Sequence, residues 1–212
     1  MNPQTALFDT GIERLELGEG FFMLPAFVAD TGPLLAQIEH IAQQAPFRHM
    51  QVGGGKRMSV AMSNCGPWGW VSSSAGYRYS QLDPQTDQPW PDMPASFMAL
   101  AKSAAALAGF NNFEPDACLI NRYASGAALG VHQDRDEADF TQPIVSVSIG
   151  AAATFQLGGL KRADRLQSIA LHDGDVLVWG GPARLRFHGV KALKPTGDGP
   201  ALRHNLTFRK AK

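Results

Sequence analysis

The chain has 212 residues, 44% of them hydrophobic, enough to bury one sizeable core with no demand for a second domain. Nineteen basic side chains balance nineteen acidic ones, so no net field draws the protein to polyanions and any contact with nucleic acid has to be local. No run approaches the roughly 20 apolar residues of a membrane span, and Cys65 and Cys118 stand far apart in sequence and outside any C-x-x-C spacing, which suggests neither a disulfide framework nor a thiolate zinc site.

At the N-terminus, MNPQTALFDTGIERLELGEG lacks a basic start followed by an apolar stretch, so an unexported, cytoplasmic protein is expected. With no evident partner surface, a monomer is expected too. Leu34, Leu35, Ile38 and Ile41 recur at helical spacing within 33–45. Phe97, Leu100, Ala101, Ala104 and Leu107 do the same within 95–108. Between these amphipathic helices lie GGGKRMSVAMSNCGPWGW and DPQTDQPWPDMP, rich in turn formers, and the segment 46–94 reads as a loop-rich recognition lid. After Pro115 the texture becomes short β-rich runs: CLINRY, IVSVSIG, TFQLGG, DVLVWGG, LRFHGV and RHNLTFR. A mainly β sandwich or barrel over 115–210, with the helices on its outside, follows. The basic clusters Lys56-Arg57, Lys161-Arg162 with Arg165, and Arg184 with Arg186 each read, taken alone, as solvated loops.

Side chains alternate along a strand, so His132 and Asp134, in the run VHQDR, point the same way. Two histidines and a carboxylate with open positions are the donor set of non-haem Fe(II) oxygenases. An H-x-D pair alone is weak, equally read as a surface turn around the acidic run DRDE. The chain has six histidines. His40 sits on a helix, His49 in a loop beside an arginine, and His172 before the turn Asp173-Gly174-Asp175. His204 alternates with Arg203 and Asn205 and so faces away from them, which leaves His188, in RFHG, as the third ligand. In RHNLTFR, Arg203, Asn205, Thr207 and Arg209 share one face, either the solvated side of an edge strand or an inward cationic face needing anionic partners. A small dicarboxylate such as 2-oxoglutarate has two anionic ends. Asn121 and Tyr123 in CLINRY share a face as well, read equally as hydrogen-bonding groups of a site or as ordinary polar positions.

The order N-x-Y, H-x-D, a distant H, then R-x-N-L-T-F-R resembles the AlkB-type Fe(II)- and 2-oxoglutarate-dependent dioxygenases. The likeness runs from PFRHM through MSVAMSNCGPWGW, DPQT, PDACLINRY, HQDRDE, GGLKR and GDVLVWGG to the last strand. It implies an α+β protein, a double-stranded β-helix (jelly roll) with flanking helices, under an N-terminal nucleotide-recognition lid. It implies iron ligands at His132, Asp134 and His188, and 2-oxoglutarate held by Arg203 and Arg209 with Asn121, Tyr123 and Asn205 in support and Leu129 packing against it. Trp70 and His132 would sandwich a flipped base, Met62 and Tyr77 would line or close the lid, Asp136 would face the exocyclic amine, and Arg162 would lie near the base or its backbone. The implied reaction, using Fe(II), 2-oxoglutarate and O2, removes alkyl groups from 1-methyladenine or 3-methylcytosine in DNA, single-stranded by preference, with RNA as an alternative. Two departures stand out: GGGKRM, where the family carries an aromatic residue after the glycines, and Ala128, where it carries a lysine. Other readings are the same chemistry on RNA, a protein side chain or a small molecule, a silent jelly roll that binds an anion, and a zinc hydrolase.

Overall fold

The computed structural model describes residues 13–52, 54–195 and 201–212; the first part of the N-terminal run read above, residues 1–12, lies outside them. In chain order the elements begin with β1 (Leu15–Gly18), β2 (Phe21–Leu24), α1 (Gly32–Gln44), β3 (Ala61–Cys65), β4 (Gly69–Ser73) and β5 (Gly76–Ser80). They continue with α2 (Ala95–Leu107), β6 (Ala117–Ala124), β7 (Leu129–His132), β8 (Ile144–Gly150) and β9 (Ala153–Leu157). The last are β10 (Gln167–Leu171), β11 (Val176–Trp179), β12 (His188–Val190) and β13 (Leu202–Arg209). A seven-stranded sheet runs β1-β2-β11-β8-β13-β6-β3, a four-stranded sheet runs β10-β9-β12-β7, and β4-β5 is a separate ribbon.

The large sheet is covered on both faces, so FFML, IVSVSI and VLVW are each buried throughout. One face carries Phe22, Leu24, Val145, Val147, Ile149, Val176, Val178, Leu206 and Phe208, packed against the two helices. Helix α1 starts with a proline in its first turn and buries Leu34, Ile38 and Ile41 at i, i+4 and i+7. Helix α2 buries Phe97 with Ala101, Ala104 and Ala105, small residues that let it lie close to the sheet, and it stops at Gly109 with φ 91°. The opposite face supplies Phe21, Ile144, Leu177 and Trp179 to a second core shared with Phe155, Leu157, Ile169 and Val190 of the smaller sheet. That smaller sheet has a solvated side, and β9 alternates buried and half-buried positions accordingly.

The expected helices and the sandwich are present, with five differences. Within the loop-rich segment 46–94, β3, buried at every position, is a strand of the large sheet, its turn-forming letters notwithstanding. Strands β1, β2 and β10 appear where no strand was expected, and β13 is central between β8 and β6, not an edge strand. Strand β7 ends at His132, so Asp134 lies just beyond it. Finally, Arg184 is buried at 2% exposure where a solvated loop was expected. Among the described residues no helix is long and apolar enough to cross a membrane.

Candidate active site

His132, at the end of β7, and His188, at the start of β12, are direct partners in the ladder, and their ring centroids lie 4.5 Å apart. Asp134, two residues past His132, turns its carboxylate back to both: Nε2 of His132 is 3.5 Å from Oδ1 and Nε2 of His188 is 3.7 Å from Oδ2. The expected triad therefore converges, with Asp134 just past the end of β7. Nδ1 of His132 sits 2.9 Å from the Gly130 carbonyl and Nδ1 of His188 sits 3.0 Å from that of Arg186. A carbonyl only accepts, so each Nδ1 carries the hydrogen and each Nε2 keeps a lone pair for a metal on the side of Asp134. Burial, and then the neighbouring His132, push the His188 pKa down to about 4, keeping it neutral. Burial also favours neutral His132, but the bond to Asp134 outweighs it and raises that pKa. The Asp134 carboxyl, despite burial, is held well below the usual carboxylate range, chiefly by Arg209. Three ligand atoms within 4.8 Å of one another, two imidazole nitrogens and a carboxylate, fit a divalent iron ion, with the open side facing a cavity.

That cavity, of about 930 Å³, lies between the two sheets and is lined by all the residues singled out in the sequence as ligands or contacts. Its floor is polar because β8, β13 and β6 run side by side with matched registers: Asn205 opposite Asn121 and Ser148, Thr207 opposite Ser146, Arg203 opposite Tyr123. Asn205 Nδ2 donates to Ser146 Oγ at 2.8 Å and to the Val147 carbonyl at 3.0 Å, and its Oδ1 accepts from Thr207 at 2.9 Å and Asn121 at 3.2 Å. Arg203 is buried at 1% exposure, lies over the Tyr123 ring at 5.0 Å, and donates from Nη2 to Ser148 at 3.1 Å. Among the described residues its Nε and Nη1 have no partner, nor does Asn121 Oδ1. A buried guanidinium with free donors is a strong call for an anion, so the floor fits one carboxylate end of 2-oxoglutarate.

Arg209 is differently placed. Its Nη2 donates to Asp134 Oδ2 at 2.8 Å and its Nε lies 3.3 Å from Glu137 Oε1. Glu137 in turn accepts from Arg184 at 3.1 Å and from the Tyr79 hydroxyl at 2.7 Å, while Arg184 donates to the Asp134 carbonyl at 3.0 Å. This buried network, running from the ribbon to the carboxylate of the triad, was missed in the sequence: Glu137 was taken for part of an acidic run and Arg184 for a loop cation. The one available signal was the pairing of unlike charges in segments that both flank the triad.

The far wall belongs to the ribbon. Trp70 on β4 stacks on Tyr77 of β5, with centroids 5.4 Å apart and planes at 21°, and its Nε1 donates to Asp136 at 2.8 Å. Tyr77 is 51% exposed and Met62 is buried below. Leu129 lies half-buried beside the triad, and the Arg162 guanidinium lies 5.2 Å from the Phe187 ring centroid at the rim. Lys56 and Ala128, the positions of departure, also line this cavity, as does Arg57.

Residues 20–209 match the model of the 2OG-Fe(II) oxygenase superfamily. The chain is 55% identical over 199 residues to the alpha-ketoglutarate-dependent dioxygenase AlkB of Escherichia coli (strain K12), covering 92% of each. It is 36% identical over 163 residues to the DNA N(6)-methyladenine demethylase ALKBH1D of Arabidopsis thaliana, covering 60% of this chain and 37% of that protein. Among solved structures, that of OsALKBH1 superposes with a TM-score of 0.80 at 27% identity, over 93% of this chain and 100% of the other.

Proposed function

The chain belongs to the 2OG-Fe(II) oxygenase superfamily, and from its likeness to AlkB we propose that it oxidatively removes alkyl groups from the nitrogens of nucleic-acid bases. The observation that carries the proposal is one cavity holding a His-Asp-His cluster, a buried guanidinium with free donors, and a stacked Trp-Tyr pair at its mouth. In this reading His132, Asp134 and His188 hold Fe(II). Arg203 and Arg209 take the anionic ends of 2-oxoglutarate, with Asn121, Tyr123 and Asn205 as hydrogen-bonding supports and Leu129 as an apolar wall. Bound Fe(II) with 2-oxoglutarate supplies oxidation by O2, one oxygen atom leaving in succinate as CO2 is lost and the other entering the C–H bond of the alkyl group. The resulting N-hydroxymethyl group breaks to formaldehyde and the unmodified base, and no phosphodiester is cut.

The protein's part is positioning. A base inside a duplex does not reach such a cavity, so it is extruded or already single-stranded. Methyl groups on the Watson-Crick edge, as in 1-methyladenine and 3-methylcytosine, block pairing and so lower the cost of extrusion. Trp70 and His132 sandwich the base, which requires Tyr77 to slide off the Trp70 face it now covers. Met62 backs the base, Asp136 faces its exocyclic amine, and Arg162 stands by the rim. The segment 46–94, apart from β3, is the lid, and single-stranded DNA is the favoured substrate, with RNA as an alternative. The DNA-demethylase name of the Arabidopsis relative supports a base substrate over a protein or small molecule. Two buried free cysteines support a reducing, cytoplasmic setting.

The test is mass spectrometry of a short single-stranded DNA carrying 1-methyladenine or 3-methylcytosine, incubated with protein, Fe(II), 2-oxoglutarate and O2. Methyl loss that needs the cosubstrate and vanishes in His132→Ala supports the proposal. Succinate formed over an unchanged oligonucleotide redirects the substrate, and neither product overturns the reading.

A further inference from the structure

The ribbon β4-β5 has two faces, and only one of them belongs to the cavity described above. Pairing of Trp70 with Tyr79, Ser72 with Tyr77 and Val71 with Arg78 makes the faces alternate along it. The face with Trp70 and Tyr77 is turned to the base pocket. Val71, Ser72, Ser73 and Arg78 border a second cleft, of about 280 Å³, whose other walls come from the segment Arg48–Gln51, from Arg57 and from Pro84 and Gln85. Among the described residues no carboxylate lines this cleft.

Its cations are not equivalent. Arg48 is held by Asp83 in an ion pair, so its charge is matched. Arg57 and Arg78 are exposed and take part in no ion pair among the described residues. Arg57 lines both clefts, and thus stands between them. The loop that carries it is built: Gln51 and Arg57 form a β-bridge, the Val52 amide donates to the Lys56 carbonyl at 2.9 Å, and Ser72 ties Gln51 to the ribbon. In a chain of zero net charge, such unmatched guanidinium groups are where local attraction for phosphate resides.

We propose that this second cleft binds a phosphodiester of the strand that carries the target base. Arg57 takes the strand as it leaves the base pocket, and Arg78 holds it along the outer face of the ribbon. The inference rests on the nucleic-acid reading of the active site, and it adds a requirement that reading lacks: affinity grows with the length of strand flanking the lesion.

The experiment uses the full chain, loaded with Fe(II) and 2-oxoglutarate without oxygen, and measures fluorescence anisotropy with a trinucleotide and a nonanucleotide, each centred on 1-methyladenine. The wild-type protein binds the nonamer more tightly. Arg78→Gln weakens the nonamer on the order of threefold to tenfold and lowers the slope of log affinity against log salt by about 0.7, one single-strand phosphate contact. Arg78→Lys restores most of that loss, and trimer binding stays as in the wild type. Equal affinity of the wild type for both lengths, or an Arg78→Gln nonamer curve with unchanged affinity and slope, overturns the proposal. Methyl release from the trimer, followed separately in oxygen, bears on the active-site reading alone, so the two can fail independently.

Discussion

Arg203 is the residue on which binding of an anion most depends, because its guanidinium is buried with two nitrogens unpartnered. Lysine in its place keeps the charge but loses the planar fork. Arg203→Lys is therefore expected to weaken 2-oxoglutarate binding by roughly tenfold to a hundredfold, the range of one charge-assisted hydrogen bond or two. Iron content should not change, since Arg203 touches none of the triad; calorimetric titration beside metal analysis checks both. Asp134 is a different case. Asp134→Asn removes the carboxylate of the triad and at the same time strips Arg209, buried at 6% exposure, of its partner at 2.8 Å.

 Glu137 remains as the second partner of Arg209, so the buried cation is not wholly abandoned. The metal-free variant should still lose ~3 kcal/mol, the lower end for breaking a buried pair, as read from urea midpoints. The face shared by Arg203, Asn205, Thr207 and Arg209 was legible in the sequence because a strand alternates strictly. The bond between Arg209 and Asp134 was not, because it joins residues 75 positions apart whose meeting depends on the closure of two sheets.

At the scale of elements, legibility follows from how each one is covered. Helices α1 and α2 show their apolar stripes, and their observed limits fall within a residue or so of the expected ones. Strands β8, β11 and β13 stand out as apolar or alternating runs. Strand β3 hides in AMSNC, whose small and polar letters suit a turn, yet all of it is buried between β6 and the helices. Strand β10 hides for the opposite reason: its exposed residues outnumber its buried ones, and the ladder with β9 is what makes it a strand. Strands β1 and β2 are too short for periodicity to speak. Packing between α2 and the sheet can be weighed directly at Phe97, fully buried and edge-on to Phe208 with centroids 6.0 Å apart. Phe97→Ala should cost about 3–5 kcal/mol of stability, toward the upper end because the small alanines around it close a cavity poorly. Because Phe97 lies across the sheet from the triad, the folded fraction of the variant should retain its iron affinity; urea denaturation and metal titration separate the two effects.

For the molecule as a whole, the balanced charge at neutral pH leaves acid stability to individual buried groups, and His204 is the informative one. It lies on the helix side of β13, packed against Phe47 with centroids 5.8 Å apart, and is 7% exposed. Burial first, then the charges of Arg122 and Arg203, push its pKa down to about 4. In the unfolded chain the same group titrates near 6.5. The folded pKa is thus depressed, so the unfolded state binds the proton first as the medium is acidified. The stability due to neutral His204 is complete above about pH 6.5 and is lost progressively as pH falls toward 4. Each pH unit in that window is worth ~1.4 kcal/mol at most, and residual solvent contact lowers the figure. His188 titrates in the same range in metal-free protein, so the measurement belongs on protein kept loaded with metal. His204→Tyr keeps an aromatic ring against Phe47 and carries no charge between pH 4 and 7. Urea midpoints of wild type and His204→Tyr, taken at pH 7.5 and pH 5, should show the wild type losing more stability on acidification than the variant. Parallel losses would place the acid sensitivity elsewhere and leave the buried, neutral state of His204 without consequence for the fold.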